Sequence, residues 1–324
     1  MSNSKTVLIT GATAGIGRTT ALHLAQLGHH VIASGRKRGE LDKLAAEARG
    51  LPGELDTLEL DVTQPASIAA AALAVDKLTG TRGLDQGPGQ GLDVLINNAG
   101  FGVFGPTSEI SDAELRRQYE TNVFGLMNVT RAFLPGMRER RAGRIINVSS
   151  VGGRITLPYF GAYSSTKYAL EALSDALRYE LRPLGIDVVL IEPGVIRTHF
   201  EATAAAGLAG FSSTPYGPAL ANYEQMSKVA DRFASEPIVV ARAIARAVAA
   251  RRPAARYVVP RVNHVGLWLN AILPTAVWDW AMRRIGYLTP DRLDRSAVPA
   301  ATPASPLPEV TPPAPSPAAR AAAN

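Results

Sequence analysis

The sequence predicts an α/β fold in which a doubly wound parallel sheet carries helices on both faces. Two observations lead to this fold class. Short runs rich in Val, Ile and Leu recur along the chain, each bounded by Gly, Asn, Asp or Ser, as in strands buried on both faces. Helical patterns separate these runs, and this alternation is typical of βαβ units, which build parallel sheets.

Six apolar runs are predicted as strands: residues 7–10, 31–34, 58–61, 94–97, 145–148 and 188–191. Two of the helices between and after them have a clear apolar stripe. The first stripe ends before Pro183 and consists of Leu170, Leu173, Leu177 and Leu181. The second follows Pro237, a residue favoured in a first helical turn, and consists of Ile238, Ala241, Ile244 and Val248.

Two segments interrupt the alternation. Residues 80–91 are Gly-rich and polar, which predicts an exposed loop before the fourth strand. Residues 296–324 are almost entirely Pro, Ala, Ser and Thr, a composition that cannot bury a core and predicts a disordered tail. We therefore divide the chain into a main α/β domain (1–260), a helical extension (261–295) and the tail (296–324).

The composition excludes several classes of site. The chain has 324 residues and no cysteine, so disulfides, thiolate metal sites and cysteine nucleophiles are ruled out, and no metal site is expected. No signal-peptide core precedes the first predicted strand, and no apolar run reaches membrane-spanning length. We therefore expect a cytoplasmic protein.

The positive charge is concentrated near the C-terminus. The net charge is +6, and the segment from Arg251 to Arg295 contributes +5 through eight arginines and three aspartates. A solvated basic face explains this concentration, and contact with an anionic membrane surface is the alternative. Nucleic acid is not an expected partner, because we find no nucleic-acid module and no aromatic stacking platform.

A glycine-rich turn follows the first predicted strand. The stretch from Thr10 to Gly17 has glycines at 11, 15 and 17 and leads into a helical pattern. Such glycines allow a tight turn and close backbone approach, so that a pyrophosphate can lie at the helix N-terminus. The spacing G-x-x-x-G-x-G differs from the G-x-G-x-x-G of many dinucleotide sites, but its place between first strand and first helix supports this function.

The residues after the second predicted strand favour one nicotinamide cofactor. An acidic residue at this place holds the ribose of NAD, but here the chain has Arg36, Lys37 and Arg38. A carboxylate would repel the extra phosphate of NADP, whereas arginine binds it, so these residues favour NADP(H) over an ordinary basic loop. Asp61, at the end of the third predicted strand, either accepts a hydrogen bond from adenine or forms a turn.

Ser150, Tyr163 and Lys167 form the principal candidate catalytic set. The spacing places Tyr163 and Lys167 one turn apart on the same helix face. The ordinary pKa of a phenol is about 10, too high for proton transfer at neutral pH. A protonated lysine at roughly 4 Å, with an effective dielectric of ~20, stabilises the phenolate by ~4 kcal/mol and so lowers this pKa by about three units. Ser150 follows a predicted strand at the sheet edge where ligands bind, and its hydroxyl suits an oxygen on which charge develops.

Together these motifs resemble the short-chain dehydrogenase/reductase family over residues 5–259. The matching segments are Thr10–Gly17, Asn97-Asn98-Ala99-Gly100, Asn122, the Ser150, Tyr163 and Lys167 set, residues 193–198, and Arg36. The resemblance implies a Rossmann fold and hydride transfer between NADP(H) and a carbonyl or alcohol carbon. A non-catalytic NADP-binding sensor or scaffold on the same fold is the alternative, but it predicts a damaged catalytic set, and here the set is intact.

The resemblance also implies a role for each matched residue. Tyr163 would exchange a proton with the substrate oxygen, while Lys167 would bind the nicotinamide ribose and lower the Tyr163 pKa. Ser150 would orient the substrate, and Asn122 would hold a water that relays protons. The implied cofactor-binding residues are Gly11, Thr13, Gly15, Ile16, Gly17, Arg36, Asp61, Val62, Asn98, Tyr163, Lys167, Pro193, Gly194, Val195, Ile196 and Thr198. Ala14 replaces a basic residue of many NADP-dependent members, so the preference depends mainly on Arg36.

The expected substrate surroundings are apolar. They include Phe101, Val103 and Phe104, and later Leu157, Pro158, Tyr159 and Phe160. Residues 150–153 and 157–158 resemble hydroxysteroid and retinol dehydrogenases, which implies a steroid-, retinoid- or lipid-like substrate, although apolar runs more often form core than pocket. We expect residues 199–228 to be a mobile loop that closes over the substrate.

All three tryptophans lie past the shared core, at positions 268, 278 and 280, among Leu and Ile residues and before Arg283 and Arg284. The first expectation is a pair of helices that pack on the domain or at an interface of a homo-oligomer. The alternative is an amphipathic segment that lies on a membrane, from which the enzyme would take its substrate.

Overall fold

A computed structural model describes residues 4–80, 91–223, 227–228 and 232–293. Its centre is a seven-stranded parallel sheet of order β3-β2-β1-β4-β5-β6-β7. The strands are β1 (Thr6–Ile9), β2 (His30–Gly35), β3 (Glu54–Glu59), β4 (Val94–Asn97), β5 (Gly143–Val148), β6 (Ile186–Pro193) and β7 (Arg256–Val259). The strand order reverses between β1 and β4, which confirms the predicted doubly wound fold and opens a crevice at the carboxyl ends of these strands.

Helices cover both faces of the sheet. They are α1 (Gly15–Gln26), α2 (Arg38–Glu47), α3 (Pro65–Gly80), α4 (Asp112–Tyr119), α5 (Leu126–Arg140), α6 (Gly161–Leu181), α7 (His199–Ala205), α8 (Gly217–Leu220), α9 (Pro237–Ala249), α10 (Asn263–Ile272) and α11 (Thr275–Ile285). A π-helical segment, Glu120–Gly125, joins α4 to α5, and 3₁₀ turns occupy Val151–Gly153, Arg182–Leu184 and Leu208–Phe211.

The core has two halves, one on each face of the sheet. Val7 and Ile9 of β1 pack with α1 and α9, whereas Leu8 packs on the other face with α3 and α5. This alternation follows from the two-residue period of a strand. Because both faces are covered, the central strands are continuous apolar runs, which is why their sequences were recognisable.

The predicted third strand was wrong in position. The sequence placed it at 58–61, but β3 is Glu54–Glu59. This edge strand is only partly buried, and Leu55 and Leu58 are its only apolar residues, so it has no continuous apolar run. Asp61 lies beyond its end. The edge strand β7 was not predicted as a strand. The predicted helices at Leu170 and Ile238 are α6 and α9, and α9 begins at Pro237 as expected.

Several expectations concern segments that the structure describes only in part. Residues 81–90 of the predicted loop and the whole tail 296–324 lie outside the described residues. The expected substrate loop, 199–228, contains α7, a 3₁₀ turn and α8 where it is described. Among the described residues, no helix has both the length and the apolar character needed to cross a membrane.

Candidate active site

The predicted catalytic residues converge at the carboxyl end of β5. Ser150 lies two residues beyond that strand, and its hydroxyl accepts a hydrogen bond from the Gly152 amide at 3.0 Å and donates to the Pro193 carbonyl at 3.4 Å. Tyr163 and Lys167 lie near the start of α6, and both are buried. A hydrogen bond joins Ser150 to the Tyr163 phenol. The structure therefore brings the three side chains together from two elements.

Burial controls the protonation of this pair. The Lys167 amine donates to the Val148 carbonyl at 2.9 Å and lies 5.8 Å from the centroid of the Tyr163 ring. Burial lowers the pKa of Lys167 to about 8, and this effect outweighs the Glu171 carboxylate, which raises the same pKa. Burial also raises the pKa of Tyr163 to about 12, although the hydrogen bond with Ser150 lowers it. For Tyr163, desolvation of the phenol outweighs the Ser150 hydrogen bond. The expected lowering of its pKa by Lys167 stays a prediction.

Asn122 lies in the π-helical segment and is 1% exposed. Its Oδ1 accepts from the Phe101 amide at 3.1 Å, and its Nδ2 donates to the Phe101 carbonyl at 2.8 Å and to Thr166 Oγ1 at 3.1 Å. A Cβ atom added to Gly100 would lie 3.1 Å from Asn122 Oδ1 and 3.8 Å from Lys167 Nζ. Asn122 thus supports the backbone after β4 and lies beside the amine. Asn97, at the end of β4, is structural, since its Nδ2 donates to Thr130 and Asn147.

The glycine turn forms a cradle at the start of α1. Gly11 and Gly15 have φ angles of +67° and +52°, which favour glycine, and a Cβ on Gly17 would lie 2.4 Å from both Asn98 Nδ2 and the Gly11 carbonyl oxygen. Asn98 Nδ2 donates to the Thr10 and Gly11 carbonyls at 3.0 and 3.1 Å. The N-cap residue is alanine, which makes no side-chain cap, so the first amides of α1 fit a phosphate.

Arg36 lies directly after β2, with its side chain exposed. A Cβ on Gly35 would lie 2.6 Å from Thr13 Cγ2, so Thr13 packs against the strand end beside Arg36. In the described part of the chain no carboxylate pairs with Arg36, whereas Arg38 pairs with Asp42 at 3.0 Å. The cradle and Arg36 together fit a dinucleotide that carries an extra phosphate.

Asp61 makes the hydrogen bonds of a turn residue, and its expected hydrogen bond to adenine stays a prediction. Its Oδ1 accepts from the Thr63 amide at 3.0 Å and from the Thr63 hydroxyl at 2.8 Å. Val62, between them, is buried.

The segment after β6 lies opposite the glycine cradle. The Gly194 amide donates to the Val259 carbonyl at 2.8 Å, and Ile196 bridges to Ser235 in parallel orientation. Thr198 caps α7, and a Cβ on Gly15 would lie 3.2 Å from its Cγ2. The remaining predicted cofactor residues are half-buried Ile16, buried Pro193 and exposed Val195. The two sides of the predicted cofactor site therefore face each other across the crevice.

An aromatic cluster surrounds Tyr163, and we call it the aromatic wall. Its members include Phe104, Tyr159, Phe160, Phe200, Leu208, Phe211 and Leu288. Phe104 and Tyr159 are only 2% and 5% exposed, so they form the inner layer of the wall. Phe200, whose ring centroid lies 5.3 Å from that of Tyr163, was missed by sequence reasoning, because one phenylalanine in a helix looks like any core residue. Leu157, which was also expected here, is 41% exposed.

A buried charge network lies behind Lys167 and was also missed. Arg256 pairs with Glu192 at 3.0 Å, with Glu171 at 3.2 Å and with Asp175 at 2.7 Å, and Arg154 pairs with Glu192 at 3.4 Å. Glu192 is 0% exposed and Glu171 6%, and burial raises the pKa of each. The one clue in the sequence was Glu171, which follows Lys167 by one helical turn.

Comparison with known proteins assigns the family. Residues 5–208 match the family model described as short chain dehydrogenase. The chain is similar to the uncharacterized oxidoreductase YbbO of Escherichia coli (38% identity; 85% of this chain, 93% of the relative). It is also similar to the 3-ketodihydrosphingosine reductase of Bacteroides thetaiotaomicron (33%; 86% and 96%). A further relative is the NADPH-dependent 3-dehydrocapnine reductase of Ornithobacterium rhinotracheale (34%; 78% and 87%).

A solved structure agrees with these relatives. The crystal structure of a short-chain dehydrogenase from Streptomyces avermitilis superposes with a TM-score of 0.66 at 31% identity, covering 89% of this chain and 99% of the other. The glycine cradle, the Ser150, Tyr163 and Lys167 set and the sheet order occur together with these similarities. The chain belongs to the short-chain dehydrogenase/reductase family of oxidoreductases.

Proposed function

We propose that the protein transfers hydride between NADP(H) and the carbonyl or secondary alcohol carbon of an apolar, lipid-like substrate. The observation that carries this proposal is the convergence of the Ser150 hydroxyl, the Tyr163 phenol and the Lys167 amine at the end of β5. The glycine cradle lies at the same edge of the sheet, so cofactor and acid/base group act at one place.

The protonation states favour reduction. NADPH, when bound, supplies the hydride. Burial raises the pKa of the Tyr163 phenol to about 12, so at neutral pH it holds the proton that a carbonyl oxygen receives in reduction; efficient transfer requires the nearby Lys167 charge to lower that pKa. Ser150 donates a hydrogen bond to the same oxygen and orients it. Lys167, with a pKa of about 8, is mainly protonated at neutral pH and stabilises the negative charge left on Tyr163.

Preference for NADP(H) is supported by residues near the crevice. Arg36 follows β2 where an acidic residue would favour NAD, and the exposed guanidinium suits the extra phosphate. The glycine cradle, Asn98 and residues 193–198 would hold the rest of the dinucleotide. One relative is named as NADPH-dependent, which agrees with this preference.

A lipid-like substrate is supported by the aromatic wall around Tyr163. An apolar wall with a few convergent polar groups suits an apolar molecule that carries one reacting oxygen. One relative is named for a ketone of dihydrosphingosine, a long-chain lipid. A cytoplasmic location and assembly into a homo-oligomer remain predictions.

Consumption of NADPH with a panel of steroid, retinoid, long-chain and small polar carbonyls tests the proposal. We expect turnover with the apolar members and little with the polar ones. Tyr163→Phe should lower turnover by several orders of magnitude and leave NADPH affinity nearly unchanged. Tyr168→Phe, on the same helix but 44% exposed, is the matched control and should retain full activity. Turnover of Tyr163→Phe within tenfold of wild type would exclude the assigned acid/base.

A further inference from the structure

The C-terminal helices present apolar side chains to solvent. No residue of α10 or α11, both fully described, is buried. Seven large apolar side chains of this region are 46–65% exposed, and we call them the apolar ridge: Val262, Val265, Trp268, Ile272, Val277, Trp280 and Ile285. Val265, Trp268 and Ile272 follow the spacing of one helix face. An exposed apolar group of this size marks a binding surface.

The segment that contains the apolar ridge is rich in arginine. The described residues from 251 to 293 contain seven arginines and two acidic residues, Asp279 and Asp291. Arg261 and Arg284 are exposed, and the Arg284 guanidinium lies 5.4 Å from the centroid of the Trp280 ring. Tryptophan beside arginine on an amphipathic helix is typical of segments that lie at the interface of an anionic membrane.

We propose that the apolar ridge docks this protein on the surface of an anionic lipid bilayer. The helices have ten and eleven residues, too short to span a bilayer, so they would lie along its surface. A second copy of the chain is a poorer occupant, because a symmetric interface would bring the same arginines together. An anionic surface instead neutralises them while the ridge enters the headgroup region.

The ridge is continuous with the candidate active site. The Tyr159 hydroxyl donates to the Gly286 carbonyl at 2.7 Å, just after α11, and Leu288 belongs to the aromatic wall. An open cleft of about 270 Å³ at α11 is lined by Pro158, Asp279, Met282, Arg283 and Leu288, and it shares Leu288 with the aromatic wall. Docking would bring this cleft to the membrane, in which an apolar substrate is dissolved. The uptake of substrate from the membrane rests on the proposed function, whereas the docking itself does not.

Tryptophan fluorescence of the full chain reports directly on the ridge, because all three tryptophans are at 268, 278 and 280. We expect vesicles of phosphatidylcholine and phosphatidylglycerol to shift the emission to the blue, and brominated acyl chains to quench it. High salt and pure phosphatidylcholine vesicles should weaken both effects, because the arginines would lose their counter-charge.

Two pairs of substitutions test the two components of the surface. Arg261→Gln with Arg284→Gln should weaken vesicle binding roughly thirtyfold, because each charge contributes about a fivefold factor. Val265→Gln with Ile272→Gln should weaken it by roughly tenfold or more by removing buried apolar area. The matched controls, Arg131→Gln with Arg138→Gln on α5 and Leu73→Gln on α3, should bind like wild type; Leu73 is 65% exposed.

The outcomes separate docking from its alternatives. Unchanged tryptophan emission with anionic vesicles would overturn the proposal. So would a vesicle-independent dimer, seen by sedimentation, that the Val265 and Ile272 substitutions dissociate, because the ridge would then be an interface between copies. Turnover of a water-soluble carbonyl should be the same in all four variants and wild type, so a failure of docking is distinguishable from a failure of the proposed activity.

Discussion

The Lys167 amine donates a 2.9 Å hydrogen bond to the backbone carbonyl of Val148, the last residue of β5. This bond attaches the helix that carries Tyr163 to the strand end that precedes Ser150. The sheet thus fixes the positions of Ser150, Tyr163 and Lys167 relative to one another. The same bond lies in the protein interior, so the Lys167 amine is removed from water. Both consequences lead to measurable predictions.

Lys167 should give the protein a pH-dependent stability between pH about 8 and 10.5. Its pKa is about 8 in the folded chain and 10.5 as the ordinary value, so in this window the unfolded chain binds more protons. The free energy of unfolding therefore rises with pH, and the cost of burying the charge is fully present below the window. Urea unfolding of wild type and Lys167→Met should show wild type gaining relative stability from ~pH 7 to ~pH 10. A constant difference would mean that Lys167 is not desolvated.

Arg36 should distinguish the two nicotinamide cofactors. Arg36→Ala is expected to weaken NADPH binding by about 1.5–3 kcal/mol, the range for a hydrogen bond to a charged group, and to leave NADH binding nearly unchanged. Isothermal titration with both cofactors measures this difference. Arg49→Ala, also exposed but after α2, is the control. Equal losses for both cofactors would show that Arg36 does not bind the phosphate.

Removal of the Arg256 guanidinium should lower the free energy of unfolding far more than removal of an exposed arginine. Arg256→Met leaves the buried carboxylates of Glu171 and Glu192 without their shared partner, which should lower the free energy of unfolding by about 3–5 kcal/mol. Arg116→Met breaks only an exposed pair with Asp112 and should leave the free energy of unfolding nearly unchanged. Urea unfolding of both variants provides the comparison, and similar losses would contradict the burial argument.

Gly17 should tolerate no side chain. A methyl group there would lie 2.4 Å from the Gly11 carbonyl oxygen, so Gly17→Ala is expected to destabilise the fold by about 1–3 kcal/mol and to weaken NADPH binding. Gly39→Ala is the control, because a Cβ at Gly39 meets no atom within 4 Å, and it should stabilise α2 by up to about 1 kcal/mol. Thermal unfolding and cofactor titration measure both, and a neutral Gly17→Ala would mean that the turn relaxes.

Much of the candidate site could be predicted because its residues follow local rules. The glycine turn, Ser150 after a strand, and the four-residue interval from Tyr163 to Lys167 depend on backbone geometry within one or two elements. The buried strands were recognisable for the same reason. The edge strand β3 was misplaced because an edge strand lacks the double burial that makes an apolar run continuous.

The sequence by itself determined the alternation of strands and helices and the choice of candidate reacting groups, since both depend on short-range patterns. Only the tertiary structure decided what surrounds those groups. Tyr159 meets Gly286 across 127 positions of sequence, and Arg256 meets Glu171 across 85. Burial raises the pKa of Tyr163 to about 12, and residues of the aromatic wall around its ring, Phe200 and Leu288 among them, come from distant segments that no local pattern brings together.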